Sequence, residues 1–461
     1  MTRSVPVWLC LLFALAALLG AIFFARAVRE AAHDPVRAGA ALKAAGAVAD
    51  FPDLVRDSFH QVGRAVLDGG GVAGEGIPLD RGLLAPGFRP LELAEGVDLP
   101  APLLRVESDR LAPAWRMIYL WTVRNGAIEN GALLLDPDLR GVKYWHLDEV
   151  DEDGGSTGPA FLRFVHGAQV LPDGALVFGF DGGRSIQRID SCGTRQWGAF
   201  GPFHHALEID EADGALWTME AAGTGSDFVA LSAETGAVLS RLGTQDIINA
   251  RPEIDLLKIR MEHDNLRNTN RRVTFGRWLT RHENFHFNDV DPLPPRLAGR
   301  FPMFEAGDLL ISARELNLVF VVDRETGETK WWRVGAWNRQ HDPDWLEDGR
   351  IGVYDNRMSR DYSQILAIDP ATYETEVLVD GRAMDFYSRI RGKMQVLADG
   401  RVAVSSPQQG RVFETGPAGG VVLDIVNPHP ARDGYVLPIS EIQVFDEDHF
   451  DFATWACPPA P

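Results

Sequence analysis

The sequence predicts an all-β protein, a six-bladed β-propeller preceded by an N-terminal transmembrane or signal helix and a short helical stalk. Two observations predict the propeller: a strand-and-turn phrase that recurs from about residue 115 onward, and the regular spacing of its Asp-Gly and Thr-Gly turns. The third observation is an apolar run at the N-terminus. The expected boundaries are 1–26 for the anchor or signal segment, 27–112 for the stalk and a proline-rich linker, and 113–461 for the propeller.

The N-terminal run comes first in the chain. Residues 7–25 are nineteen positions without a charge, with Arg3 before them and Arg26 and Arg29 after. That length approaches the ~20 residues a helix needs to span a bilayer, whereas a cleaved signal peptide has a shorter apolar core. The length favours an uncleaved anchor. Ala25-Arg26-Ala27 nevertheless fits a small-x-small cleavage pattern and keeps a cleaved, periplasmic form as the alternative. Either way the body of the protein is expected outside the cytoplasm, on the periplasmic side. Residues 27–75 show apolar positions at helical spacing, and Gly69-Gly70-Gly71 marks a break before a linker with prolines at 78, 86, 90, 100 and 102.

The repeat follows. Its copies are His166-Gly-Ala-Gln-Val-Leu-Pro-Asp-Gly174, His205-Ala-Leu-Glu-Ile-Asp-Glu-Ala-Asp-Gly214, His341-Asp-Pro-Asp-Trp-Leu-Glu-Asp-Gly349 and Gly392-Lys-Met-Gln-Val-Leu-Ala-Asp-Gly400. A longer copy starts at His286 and turns at Gly307-Asp308. Two further strands follow each turn, and residues 118–145 carry the second half of the same rhythm. Five full units and one split unit make six blades of 40–50 residues, a propeller period. Closure then pairs 441–445 or a neighbouring strand with the first blade, which removes the exposed edges. A pair of β-sandwiches is the competing fold, and it leaves the regular phrase unexplained.

Composition limits the function classes. A net charge of -20 argues against a nucleic-acid partner, because phosphate binding relies on Lys and Arg to displace counterions. A local pocket of Arg and His can still take a small anion against that field. Of three cysteines, Cys10 lies in the apolar run. Cys192 and Cys457 can pair in an oxidising compartment, but two unpaired buried thiols are the simpler expectation. With no Cys-x-x-Cys pair, a structural zinc site has no support.

The repeat also locates a site. Residues at one phase of every blade converge at one height around the axis. His166 and His341 stand seven residues before their turn aspartates, His205 stands eight before its own, and His286 holds the corresponding phase of the longer unit. Convergent imidazoles suit metal ligation, acid-base work or nucleophilic transfer. Asn288 and Arg314 nearby form a donor cage for the oxygens of an anionic group, where a metal would want carboxylates.

At these residues the sequence resembles the bacterial aryl-sulfate sulfotransferase family. The resemblance rests on Ile311-Ser-Ala-Arg314, Val322-Asp-Arg-Glu-Thr-Gly-Glu-Thr-Lys-Trp331, Gln340-His-Asp342, Leu346-Glu-Asp-Gly349, Tyr354-Asp-Asn356 and His286-Phe-Asn288-Asp289. It covers about 115–430 and is strongest over 282–357. It implies that His341 takes a sulfuryl group from an aryl sulfate and hands it to a phenol through a sulfo-histidine, with no metal, nucleotide or other cofactor. It implies that His286, Asn288 and Arg314 hold the sulfate oxygens and that His205, or else His204, is a further site histidine. His166 has the phase without a family match. The partners so implied are small aryl sulfates and phenols, and the membrane through the N-terminal helix. The sequence departs from the family at Ala313 and at Asp289, which puts a carboxylate near an anion site. The proline-rich stretch 292–305 is expected to form a loop over the funnel. Trp331, Trp332 and Trp337 flank the His341 loop and are expected to pack between blades. Glu262-His263-Asp264 is expected to be solvated, in an excursion between blades. Two other functions remain open on sequence grounds: a non-catalytic ligand-binding or scaffold propeller, and a metal-dependent propeller hydrolase or lyase.

Overall fold

Each blade is built by the same local rule. Apolar residues alternate or run together through strands of five to ten residues, and an Asp-Gly, Thr-Gly or Asn-Gly turn sends the chain back antiparallel. The computed structural model describes residues 15–21, 77–78, 87–150, 164–180, 184–222, 225–254, 257, 285–358 and 360–459. The chain divides into two units, residues 1–72 and 73–461. In the first, residues 15–21 are helical. The rest of the expected apolar span and the whole of the 27–75 stalk lie outside the described residues, as does Glu262-His263-Asp264. No helix among the described residues is long and apolar enough to cross a membrane.

In the second unit the described residues form six antiparallel blades. Blade 1 is completed by the C-terminus: Ile439–Phe445 pairs as its innermost strand with Trp115–Arg124, and Ala127–Leu135 and Gly141–Leu147 follow outward. This is the closure the sequence called for. Blades 2 to 5 start with Val165–Val170, Phe203–Ile209, Phe287–Pro292 and His341–Trp345 as their inner strands. Blade 6 runs from Met394–Val396 outward to Val421–Val426. There the proline-rich stretch adds Leu104–Glu107 and Arg89–Pro90, making a six-stranded sheet. Neighbouring blades bury their faces against each other in clusters such as Phe228, Phe287 and Phe320 between blades 3 and 4. Trp331 and Trp337 belong to another such cluster, and Trp332 stands on an outer strand, more than a third exposed. None of the three stacks in the channel.

Two expectations are overturned. The 292–305 segment does not roof the funnel. It follows the far end of its inner strand, opposite His286, and buries Leu293, Leu297, Phe301 and Phe304 against Trp345. Four large apolar side chains make it a plug between blades 4 and 5. Gly349 permits the fit, since a Cβ there would meet the Arg300 carbonyl at 2.7 Å. Cys192 and Cys457 are not separate thiols but a disulfide. Closure of the ring brings the C-terminal tail under blade 2, where the Cys457 amide also reaches Ser191 Oγ and the Trp455 indole donates to the Pro172 carbonyl.

Candidate active site

The inner strands share a distortion that aims their side chains. The first residues of each, in blades 1 to 5, pair with the second strand through a register shift: between Ile439 and Glu441, Val165 and Ala168, His204 and Leu207, Phe287 and Asp289, and His341 and Asp344. Left-handed backbone accompanies it at His205 (φ 61°), His286 (φ 48°) and Asp342 (φ 51°), and at Gly167 and Gly392. Bulges re-aim side chains at barrel rims and next to sites, and non-glycine residues with positive φ persist only where the surroundings over-determine them. Here a ring of bulges turns the histidines inward.

The rings converge as the repeat predicted. The His205 ring lies 4.6 Å from His166 and 5.0 Å from His286, centre to centre, and His166 faces His341 across the axis at 6.5 Å. All of these contacts are edge-to-face. Of His204 and His205, it is His205 whose ring meets those of His166 and His286. His204 stands behind it, with Nδ1 2.7 Å from His205 Nδ1 and Nε2 3.2 Å from Ser226 Oγ.

His341 is the most constrained of the group. Its Nδ1 lies 2.6 Å from Asn356 Oδ1. The Asn356 amide in turn donates to the Ser388 and Arg391 carbonyls, which fixes its oxygen toward the ring. An amide oxygen only accepts, so Nδ1 carries the proton and Nε2 keeps a lone pair. The Arg391 backbone N–H points at that lone pair from 3.3 Å. Burial, with Arg314 and His166 nearby, holds His341 well below the usual imidazole range, so it stays neutral. Burial lowers His205 likewise, helped by His166, His204, His341 and Arg314.

The remaining predicted residues take different positions. Arg314 follows the second strand of blade 4, half-buried, and bonds Glu315 at 3.0 Å while acting electrostatically on both His205 and His341. The ion pair therefore leaves Arg314 within electrostatic reach of both rings. Asn288 is buried and donates to the Gln340 carbonyl at 2.8 Å, which pins the residue before His341. Gln340 also reaches Ser312 Oγ, so the serine of the Ser312-Ala313-Arg314 run supports the same loop.

Beneath the histidines lies a layer that sequence reasoning missed. Three residues after each histidine stand Gln169, Glu208, Asp289 and Asp344. Lys393 of blade 6 reaches into this layer, with Nζ 2.6 Å from Asp342, 2.9 Å from Glu208 and 3.4 Å from Asp289. Glu208, Asp289 and Asp342 come close enough to share a divalent cation, but the ammonium sits among them in the cation's place. The carboxylate at Asp289 therefore turns to Lys393. The signal was present in the sequence, because Lys393 follows Gly392 at the start of a recognised copy of the repeat.

Comparison with known proteins agrees with this geometry. No curated protein matches the chain. Among solved structures it is similar to a Bacteroides caccae protein of unknown function at 12% identity, covering 72% of this chain and 99% of that one with a TM-score of 0.45. It is also similar to TolB from Acinetobacter baumannii at 11% identity, covering 74% and 68% with a TM-score of 0.44. A third is virginiamycin B lyase from Staphylococcus aureus at 10% identity, covering 65% and 87% with a TM-score of 0.35. Likenesses this distant carry no argument about chemistry. The arylsulfotransferase (ASST) signature, by contrast, matches residues 167–428, from just after His166 to beyond blade 6. With more than half of the sequence matched, and His205, His286 and His341 inside the match, this chain belongs to the arylsulfotransferase family.

Proposed function

We propose that the protein moves a sulfuryl group from an aryl sulfate to a phenol through a sulfo-histidine at His341. The observation that carries this reading is the Asn356–His341 pair. It presents a neutral imidazole with its Nε2 lone pair inside a ring of histidines. In the first half-reaction Nε2 attacks sulfur, the bond from sulfur to the aryl oxygen breaks, and the phenolate leaves with that electron pair. In the second, an acceptor phenol oxygen attacks sulfur, gives its proton to a ring imidazole, and the S–N electron pair returns to Nε2. His166, facing His341 across the axis, is placed to exchange the proton with leaving and entering phenols. Arg314 supplies positive charge and His286 and His205 supply ring N–H donors for the sulfuryl oxygens, and Asn288 holds the His341 loop through Gln340.

Residence outside the cytoplasm is part of the same reading. It is supported by the uncharged N-terminal run and by the Cys192–Cys457 disulfide, a bond that persists in oxidising compartments. Lys393 occupies the carboxylate cluster of Glu208, Asp289 and Asp342, which leaves the metal-dependent reading the histidines alone as ligands.

The test is intact-mass spectrometry after brief mixing of the full chain with a chromogenic aryl sulfate. A sulfuryl adduct with phenol release is expected for the native chain, with neither for His341→Ala. Phenol release by the native chain with the adduct on another residue, or no release across several donors, would overturn the assignment.

A further inference from the structure

The chain on either side of His341 is tied to a different blade. Before it, the Gln340 carbonyl accepts from Asn288, and the Gln340 amide donates to Ser312 Oγ and the Leu318 carbonyl, all of blade 4. After it, Asp342 turns to blade 6. Its Oδ1 lies 2.6 Å from Lys393 Nζ, and its Oδ2 accepts the Met394 backbone N–H. Both oxygens of a carboxylate that is only 3% exposed are thus engaged by one strand.

Blade 6 returns the tie. The Lys393 backbone N–H donates to Ser405 Oγ at 2.8 Å, and the Lys393 carbonyl accepts the Ser405 N–H at 2.8 Å. The Ser405 carbonyl accepts the Tyr354 hydroxyl at 2.9 Å, and Tyr354 is the cross-strand neighbour of His341. A circuit of bonds leaves the nucleophile through Asp342, crosses to blade 6 and comes back to the strand beside it. The corner has no slack, since a Cβ at Gly392 would meet the Tyr354 ring at 2.3 Å.

Asp342 also carries the bulge. The register of the inner strand shifts between His341 and Asp344, and Asp342 holds φ at 51°. Left-handed backbone is unfavourable for a residue with a Cβ and persists only where its surroundings over-determine it. Here the two bonds from blade 6 hold it. An extended Asp342 would remove the bulge that points the imidazole at the axis. Glu208 meets the same ammonium at 2.9 Å, but from blade 3, and its second partner is Gln169 of blade 2.

We propose that Asp342 is a positioning residue for sulfuryl transfer: held by Lys393 and Met394, it fixes the backbone that aims His341 Nε2 at sulfur. The inference rests on the transferase reading. It gives the buried ion pair a part in the rate of the reaction, beyond neutralising the floor. A nucleophile held in line loses rate steeply when displaced, about a hundredfold for ~1 Å.

The test mixes the full chain with saturating 4-nitrophenyl sulfate and follows one turnover by mass. It reads the rate at which the sulfuryl adduct forms on His341 and the final amount of adduct per chain. The rate reports the aim of the nucleophile, and the amount reports how much of the protein is folded. Asp342→Asn keeps the shape, an acceptor for Met394 and a tolerance for left-handed backbone, but loses the ion pair. Asp342→Gly keeps the backbone conformation and loses both bonds. The rate is expected to fall about tenfold in the first and about a hundredfold in the second, with steady-state KM within about twofold of native. Glu208→Gln takes a close carboxylate from the same ammonium, and its adduct rate is expected to stay within about twofold of native. A native rate with less adduct in the Asp342 variants would make the residue purely structural, as would equal falls in rate for Asp342→Asn and Glu208→Gln. Either result overturns the inference and leaves the transferase reading standing. No adduct on His341 in the native chain would remove both.

Discussion

The channel wall below the histidines has two unlike halves. On the side of blades 6, 1, 2 and 3, glutamines join one inner strand to the next. Gln395 exchanges hydrogen bonds with the Val444 backbone, Gln443 donates to the Ala168 carbonyl, and Gln169 donates to the Leu207 carbonyl. On the side of blades 3 to 5 the same depth holds Glu208, Asp289, Asp291, Asp342 and Asp344 around Lys393. The amide half closes its strand-to-strand hydrogen bonds with neutral groups, and its titrating carboxyl is Glu441, to which Gln443 also donates. In the carboxylate half burial pushes every one of these acids upward, while Lys393 pulls each of them back in part. Burial works against the Lys393 ammonium too, but Asp342, Glu208, Asp289 and Glu441 together hold it well above the usual range. The difference teaches how a ring of histidines can sit over a floor of acids. One shared ammonium and retained protons offset the negative charge beneath it.

The largest break in that comparison is expected from Lys393→Met. It leaves three buried carboxyls without their cation, at a cost of about 3–5 kcal/mol. Urea midpoints at pH 5 and pH 8 should show the larger loss at pH 8, where the acids must ionise. Equal losses at both would mean that Lys393 does not neutralise them.

Glu441 sharpens the picture. It stands on blade 1 against Gln443, where burial lifts it from the usual 4.5 to about 8. The folded carboxyl keeps a proton that the unfolded chain gives up above about pH 4.5, so stability falls as pH rises from there through about 8. Glu441→Gln should flatten that slope and narrow the difference in unfolding free energy between pH 5 and pH 8, read from urea titrations, by on the order of 1–4 kcal/mol. An unchanged slope would place the titration elsewhere. The smallest effect is expected in the amide half. Gln395→Leu leaves the Val444 N–H and carbonyl without their side-chain partner at about 1–2 kcal/mol, and urea midpoints at pH 5 and pH 8 should show the same loss.

Much of this was legible in the residues. The Asp-Gly phrase encoded blade number and closure, and the phase of His166, His205, His286 and His341 encoded the ring. The missed features need a third dimension. Bulges break the alternation that says which strand residues face the axis, so Glu208, Asp342 and Lys393 could not be assigned to a common layer. The Arg391 side chain meets Phe164, more than two hundred residues earlier in the chain, across the ring. The Cys192–Cys457 pair spans 265 residues and meets only after closure. The plug at 292–305 was placed at the wrong end because proline spacing says nothing about which rim a loop occupies.

Ribosomes make the inner wall of blade 1 last. Every ring histidine is synthesised before Ile439–Phe445, yet until that strand arrives the circle has a gap and blade 1 has a bare edge. A nascent chain stopped at residue 438 would hold all of its histidines and no closed channel. If the protein works beyond the cytoplasm, that order of events keeps a sulfuryl-transferring pocket from existing on any chain still being made.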